Sequence, residues 1–319
     1  MILHVVSVSG GKDSTATLLL ALEKIGRERL RAIFCDTGNE HSAVYEYLSY
    51  LEQALDIRID RLKADFTDQI AAKRRFISRD QRVGRDKRGR KIRWSNKAKR
   101  RALEVLHPTG NPFLDLCIWK GRFPSRKAQF CTEELKRNMA VSYQLDLVDA
   151  GYQIVSWQGV RRDESLNRRH AKKIERIGPA MRAFRPIVEW TALQVFDYCA
   201  QCGIQPNPLY LQGMGRVGCM PCINVGKDEL RQIHARFPEA LDEKARWEAL
   251  VSKASKRGFS TFFNKELHAA NYADRRVHHA NRVEAVIEWA HTTRGGRQFD
   301  LLADLVEPTA CSSAYGLCE

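Results

Sequence analysis

The stretch ILHVVSVSGGKDS, residues 2–14, decides the fold. Its first half is an apolar, β-branched run without polar alternation, the composition of a strand buried on both faces of a parallel sheet. The run closes on Ser9-Gly10-Gly11, and the residues that follow carry Leu18, Leu19, Leu22 and Ile25 at helical spacing. A strand that turns through glycines into a helix start presents unpaired N–H groups and positive partial charge. An anion belongs there. A plain capped turn would account for Ser9 and the glycines but gives no reason for Lys12 beside Asp13. The loop is not a Walker A loop, which needs a longer glycine spacing and a lysine followed directly by Ser or Thr.

The pattern continues outward from this turn. Residues 30–35 form a second apolar run that stops at DTGNE, residues 43–55 read as a helix, and IRIDRL reads as a third strand. Strand, helix, strand, helix, strand at short intervals predicts an α/β fold with a doubly wound parallel sheet, whose ligands sit beyond the carboxyl ends of the strands. Further along, residues 133–145 are predicted helical and 153–158 a strand ending at Gly159. Residues 191–202 are again helical, ahead of a proline-bearing loop over 203–218. From about Asp228 the chain reads as mainly helical, with a loop at KRGFST. The expected division is a catalytic nucleotide-binding domain over 1–226, carrying a basic insertion at 73–107, and a mainly helical C-terminal region over 227–319 with a cysteine-bearing tail.

Composition narrows the class. The 319 residues are 44% hydrophobic with a formal net charge of +15, enough apolar content for a sizeable core. No stretch approaches the ~18 apolar residues that cross a bilayer, and no basic n-region precedes the first apolar run. A cytoplasmic protein without a membrane partner is expected. Between Lys73 and Arg101 fifteen Lys and Arg face only Asp80 and Asp86. That concentration either contacts a polyanion such as nucleic acid, with Phe76 and Trp94 available for base stacking, or forms a solvated and partly disordered surface.

Nine cysteines in a chain lacking a secretion signal point to thiol or metal chemistry in a reducing compartment. Cys219-Met220-Pro221-Cys222 has the spacing of a shared metal, a cluster or a redox pair. Cys35, Cys199 and Cys202 are expected to pack as small apolar groups.

SGGKDS after a first strand resembles the PP-loop of ATP pyrophosphatases and of the phosphoadenosine phosphosulfate (PAPS) reductase family. RKAQFCTEELK (126–136), GVRRDESLNR (159–168), and PIVEWTALQVFDY followed by GIQPNPLYLQGMGRVGCMPC resemble further motifs of that family, in family order. The resemblance implies that Ser9, Gly10, Gly11, Lys12, Asp13 and Ser14 hold nucleotide phosphates, with Lys12 and Asp13 in catalytic roles. Asp36 would meet adenosine or Mg²⁺, unless it simply opens the DTG turn. Arg126, Lys136, Gly159, Arg161, Glu164, Ser165 and Arg168 would complete the nucleotide site. The ligand would be ATP with Mg²⁺, or PAPS or adenylyl sulfate.

In members with a 4Fe-4S cluster a Cys-Cys pair joins the C-x-x-C; here that place holds Cys131-Thr132. The resemblance thus implies Cys131, Cys219 and Cys222 as ligands of an incomplete cluster, with zinc or no metal as alternatives. Cys318 stands where the family has a tail nucleophile, although the sequence reads YGLCE and not E-C-G-L-H. The implied activities are adenylation by ATP with cluster-assisted sulfur transfer to a nucleic acid, or sulfonucleotide reduction with a thioredoxin-like reductant. A nucleotide-sensing nucleic-acid-binding protein is a third possibility, and the first two also need a sulfur source or electron donor.

Overall fold

The apolar run at the start forms β1 (Ile2–Ser7), and Val5 and Val6 are fully buried, as a central parallel strand requires. The computed structural model describes residues 1–87, 89–264 and 275–292. Two compact units divide the described residues: one from 1–63 with 134–220, the other from 64–133 with the described part of 221–306.

In the first unit β1 leads into α1 (Lys12–Ile25), then β2 (Leu30–Asp36), α2 (Ser42–Leu55) and β3 (Ile59–Lys63). After the second unit's insertion come α7 (Asn138–Asp149), β4 (Gln153–Trp157), β5 (Ile174–Gly178), β6 (Met181–Phe184), α8 (Ala192–Gln201) and the short α9 (Pro208–Leu211). The strand order is β3-β2-β1-β4-β6-β5, parallel except for β5, which runs antiparallel to β6. The expected doubly wound sheet is present, with an antiparallel edge hairpin that the sequence reading did not foresee. Residues 174–178 are almost wholly exposed, so β5 lacks the apolar signature of a core strand.

Right-handed crossovers fix the layers. The chain goes from β1 to β2 on one side and from β3 back to β4 on the other, so α1 and α7 cover opposite faces. Leu3, Val5, Ile33, Ile154 and Met181 form the core beneath Ala140, Tyr143, Leu147 and Val148 of α7. The strand order reverses between β1 and β4, and both run in the same direction. Their carboxyl ends are therefore a topological switch point, the place where open sheets hold ligands.

The second unit is helical: α3 (Thr67–Ser78), α4 (Asn96–Val105), α5 (Pro112–Lys120), the single turn α6 (Phe130–Thr132), α10 (Lys227–Arg236), α11 (Pro238–Ala254), α12 (Arg275–Ala280) and α13 (Val283–Ala290). Helix α11 packs on α4 and α5. Phe113 stacks on Trp247 with centroids 5.6 Å apart, and Phe262 meets Phe113, Phe123 and Phe263. The basic segment is folded, not a solvated tail. Buried Asp80 accepts the Trp94 amide at 2.8 Å and Arg82 Nε at 2.8 Å, which ties the loop to the end of α3. Those donors, Arg82 foremost, hold its carboxyl far below the usual range. No helix among the described residues is long and apolar enough to cross a membrane.

Glu248 on α11 gives this unit a pH dependence. It is 5% exposed and accepts the amides of Phe262 at 2.7 Å and Val283 at 3.3 Å. Burial, only partly offset by those bonds, pushes its carboxyl from 4.5 up to about 7. The folded chain keeps this proton where the unfolded chain has lost it, so the linked stabilisation is full below pH 4.5 and fades as the pH rises to about 7. A shift of this size is worth about 3 kcal/mol. Thermal melts across that window should therefore show Tm falling more steeply with pH in the wild type than in Glu248→Gln. Parallel slopes would remove Glu248 as the cause.

Candidate phosphate-binding site

The turn between β1 and α1 is built from small residues because its backbone is left-handed and closely approached. Gly10 has φ +73°, a left-handed conformation, and a Cβ there would lie 3.1 Å from Val44 Cγ1. Gly11 caps α1 without a side chain, so the first helical amides face the region beyond the strand. Ser14 closes the loop: its hydroxyl accepts the Ser9 amide at 3.0 Å and donates to the Gly11 carbonyl at 2.8 Å. The result is a rigid cradle at the positive end of a 14-residue helix.

Charge alternates around it. Lys12, 8% exposed, places its ammonium 3.3 Å from Asp13 Oδ2 and 5.6 Å from the ring centre of Tyr210. Asp13 Oδ1 in turn accepts Arg161 Nε at 2.5 Å, and the same guanidinium pairs with Asp163. Burial disfavours the Arg161 charge, but the two carboxylates outweigh it and raise its pKa. Gly159 makes the approach possible: a Cβ there would lie 2.7 Å from the Asp13 carbonyl oxygen and 3.0 Å from the Ser14 amide nitrogen. The ends of β1 and β4 thus deliver Lys12, Asp13 and Arg161 to one place.

Two further residues belong to the cradle and were not foreseen. Buried Asn207 donates from Nδ2 to the Gly10 carbonyl at 3.1 Å while its Oδ1 accepts the Leu209 amide at 3.0 Å. The Tyr210 hydroxyl accepts the Lys12 amide at 3.1 Å. Asn followed by Pro marks the start of α9 locally. The reach to the first strand, across 197 residues, has no local signal.

The other expected site residues are distributed as follows. Asp36 ends β2, where its Oδ1 accepts the Gly38 amide at 2.9 Å and the Tyr45 hydroxyl at 2.7 Å, which is the turn-opening alternative. The carbonyl of Lys136 accepts the Cys35 thiol at 3.5 Å beside the same strand end. Glu164 and Arg168 pair with each other on an exposed turn around Ser165, apart from the hydrogen-bonded chain that links Lys12, Asp13 and Arg161. Arg126, Cys131 and Cys222 belong to the second unit.

The cysteines divide by environment. Burial, its largest cause, pushes the Cys35 thiol up to about 11, the Cys199 thiol to about 12 and the Cys117 thiol well above its ordinary value. These are packing residues, as expected of Cys35 and Cys199. Cys202 is exposed at the end of α8, contrary to the expected packing role. Cys219 has Thr37 Oγ1 at 3.7 Å and Glu40 Oε1 at 3.8 Å from its sulfur. Among the described residues no three His, Cys, Asp or Glu are grouped to hold a metal, so the expected set of Cys131, Cys219 and Cys222 finds no support there for a 4Fe-4S cluster or zinc. Cys311 and Cys318 lie outside the described residues.

A glycine turn at the switch point of an open parallel sheet, with a lysine and an arginine held on one aspartate, defines an α/β protein of the PP-loop class. The model of the phosphoadenosine phosphosulfate reductase domain matches residues 3–225, and the chain belongs to that family. It is 46% identical to a 37.8 kDa protein of the gpa 5′ region of Escherichia phage 186, over 99% of this chain and 97% of that one. A shorter stretch, 21% of this chain and 26% of the relative, is 35% identical to the adenosine 5′-phosphosulfate reductase of Deinococcus radiodurans. Among solved structures it resembles the phosphate complex of the PAPS reductase of Candida auris, with 14% identity, a TM-score of 0.41, and coverage of 70% of this chain and 83% of that one.

Proposed function

We propose that the first unit binds ATP by its phosphates and supports attack of a substrate oxygen on the α-phosphorus. The bond from that phosphorus to the bridging oxygen breaks, pyrophosphate leaves, and the oxygen is carried as an adenylate that sulfur can displace. The substrate in this reading is a nucleic acid, for which the basic composition between Lys73 and Arg101 is the support. The observation that carries the reading is the buried chain Lys12–Asp13–Arg161 at the amide-lined turn. Its two cations are positioned before any nucleotide arrives, so negative charge building on a leaving pyrophosphate meets preorganised positive charge. Asp13 acts here as the positioning group for both.

The test is pyrophosphate release from ATP by the purified chain, alone and with single-stranded DNA, duplex DNA or RNA. Release is expected, and it should rise with at least one nucleic acid. Nucleotide that stays bound and intact with every polyanion contradicts the reading. A second reading, reduction of adenylyl sulfate or PAPS, draws support from the stretch shared with the Deinococcus radiodurans reductase. There a thiol would attack the sulfonyl sulfur, the S–O bond to the nucleotide phosphate would break, and a thioredoxin-like dithiol would supply the electrons that release sulfite. Sulfite formed from either sulfonucleotide in the presence of thioredoxin would favour it over adenylation.

A further inference from the structure

The second unit contains a cavity of about 1040 Å³ that the nucleotide reading leaves unused. It exceeds the ~300–1,000 Å³ of ordinary small-molecule pockets. One face of α3, carrying Gln69, Lys73 and Phe76, forms one wall; the end of α5 and the loop after it form another; the KRGFST loop after α11 forms a third. Among the described residues, Lys73, Lys120, Arg122, Lys256 and Arg257 line it and no Asp or Glu does. A described wall with five cations favours an anion.

The same wall carries flat rings. Phe76 is 48% exposed. Trp119 is half-buried, with Phe66 stacked on it at 5.6 Å and the Lys120 ammonium 3.7 Å from its ring centre. The flexible Lys120 chain lies against the indole, and swinging it away bares ring surface that buried Phe66 does not hold. Phe259 packs against His278, whose Nδ1 is buried without a hydrogen-bond partner among the described residues. A buried polar atom of that kind calls for one. Lys73 is held differently: its ammonium caps α5 by donating to the carbonyls of Ile118 and Trp119. It therefore fixes the indole's position.

We infer that this cavity takes a short run of single-stranded nucleic acid, with unpaired bases against Phe76 and Trp119 and phosphates on Lys120, Arg122 and Arg257. Duplex is disfavoured, because its bases are stacked on one another and cannot reach a concave wall. An acidic peptide would use the cations but not the rings. The inference rests on the proposed substrate class and names where, and in which form, that substrate is held.

The test is fluorescence anisotropy of the full chain, without nucleotide, using labelled 12-mers of single-stranded DNA, single-stranded RNA and duplex DNA across a salt series. Single strands should bind more tightly than duplex; the DNA and RNA arms tell which sugar is preferred. Phe76→Ala and Trp119→Ala should each weaken single-strand binding roughly tenfold or more, the size expected when a stacking platform is removed. Arg122→Ala should shallow the salt dependence by about 0.7 for each phosphate that the guanidinium neutralises. Phe76 and Arg122 are exposed, so these two variants keep the test valid if Trp119→Ala folds poorly. Equal binding of duplex and single strand, with Phe76→Ala unchanged, overturns the cavity assignment. Binding abolished only in Lys97→Ala/Arg100→Ala, on exposed α4, overturns it as well. Strand binding that follows the cavity variants while ATP is never cleaved leaves this site standing and removes the adenylation reading, so the two fail separately.

Discussion

Replacing Lys12 with alanine is expected to lower pyrophosphate release from ATP by about 10²–10³, the usual effect of deleting one preorganised charge from a transition state. Lys12 is 8% exposed, and its ammonium lies 3.3 Å from Asp13 and is flanked by the rings of Phe196 and Tyr210 at 5.9 and 5.6 Å. It is therefore confined beside the turn before nucleotide binds, and its contribution is not lost to solvent reorganisation. Removing it leaves Asp13 still bound to Arg161. The variant should consequently fold, with wild-type circular dichroism, while steady-state release collapses. Release within twofold of wild type would show that the lysine serves only the turn.

Gly159→Ala is the second large effect, and it acts through the backbone. The added methyl would meet the Asp13 carbonyl oxygen at 2.7 Å, its carbonyl carbon at 2.8 Å and the Ser14 amide nitrogen at 3.0 Å. None of these is the end of a flexible side chain. Either β4 or the first turn of α1 must move, and overpacking of this kind costs about 1–3 kcal/mol. At roughly 2–4 °C per kcal/mol for a domain of this size, Tm should drop by several degrees. Nucleotide affinity should fall at least tenfold, because the amides that face the phosphates belong to the displaced turn. Calorimetric titration alongside a thermal melt checks both; an unchanged melt and unchanged affinity would mean that β4 does not set the turn.

Much of the sheet was legible because its strands announce themselves. ILHVVSV and residues 30–35 are unbroken apolar runs between turn signals, and the helices between them carry leucines at helical spacing. The hairpin of β5 and β6 was not legible, because Ile174 and Ile177 are exposed and their neighbours are charged. An edge strand paired on one side has no buried face to write into the sequence. The turn between β1 and α1 was readable from its glycines. Asn207 and Tyr210 were not, since their partners lie nearly two hundred residues away and no periodicity links them.

The cysteine reading finds no support among the described residues. C-x-x-C spacing is a local pattern that many chains carry, whereas a metal site is a three-dimensional grouping. Here Cys219 faces Thr37 and Glu40. The basic segment also differed from its composition. A run of like charges reads as solvated surface, but Asp80, Lys73 and Lys99 spend their polar groups on backbone partners that fold it. Phe76 remains presented, while Trp94 is 7% exposed and serves as a wall of the cavity more than a free platform.

The account stands on phosphoryl oxygens seated at the turn after β1. A crystal structure with an ATP analogue that cannot be cleaved between the α and β phosphates tests this most directly. The predicted result is phosphate oxygens within hydrogen-bonding distance of backbone amides between Gly10 and Ser14, with Lys12 or Arg161 against them. Well-ordered nucleotide bound elsewhere, with this turn holding no phosphate, would contradict it.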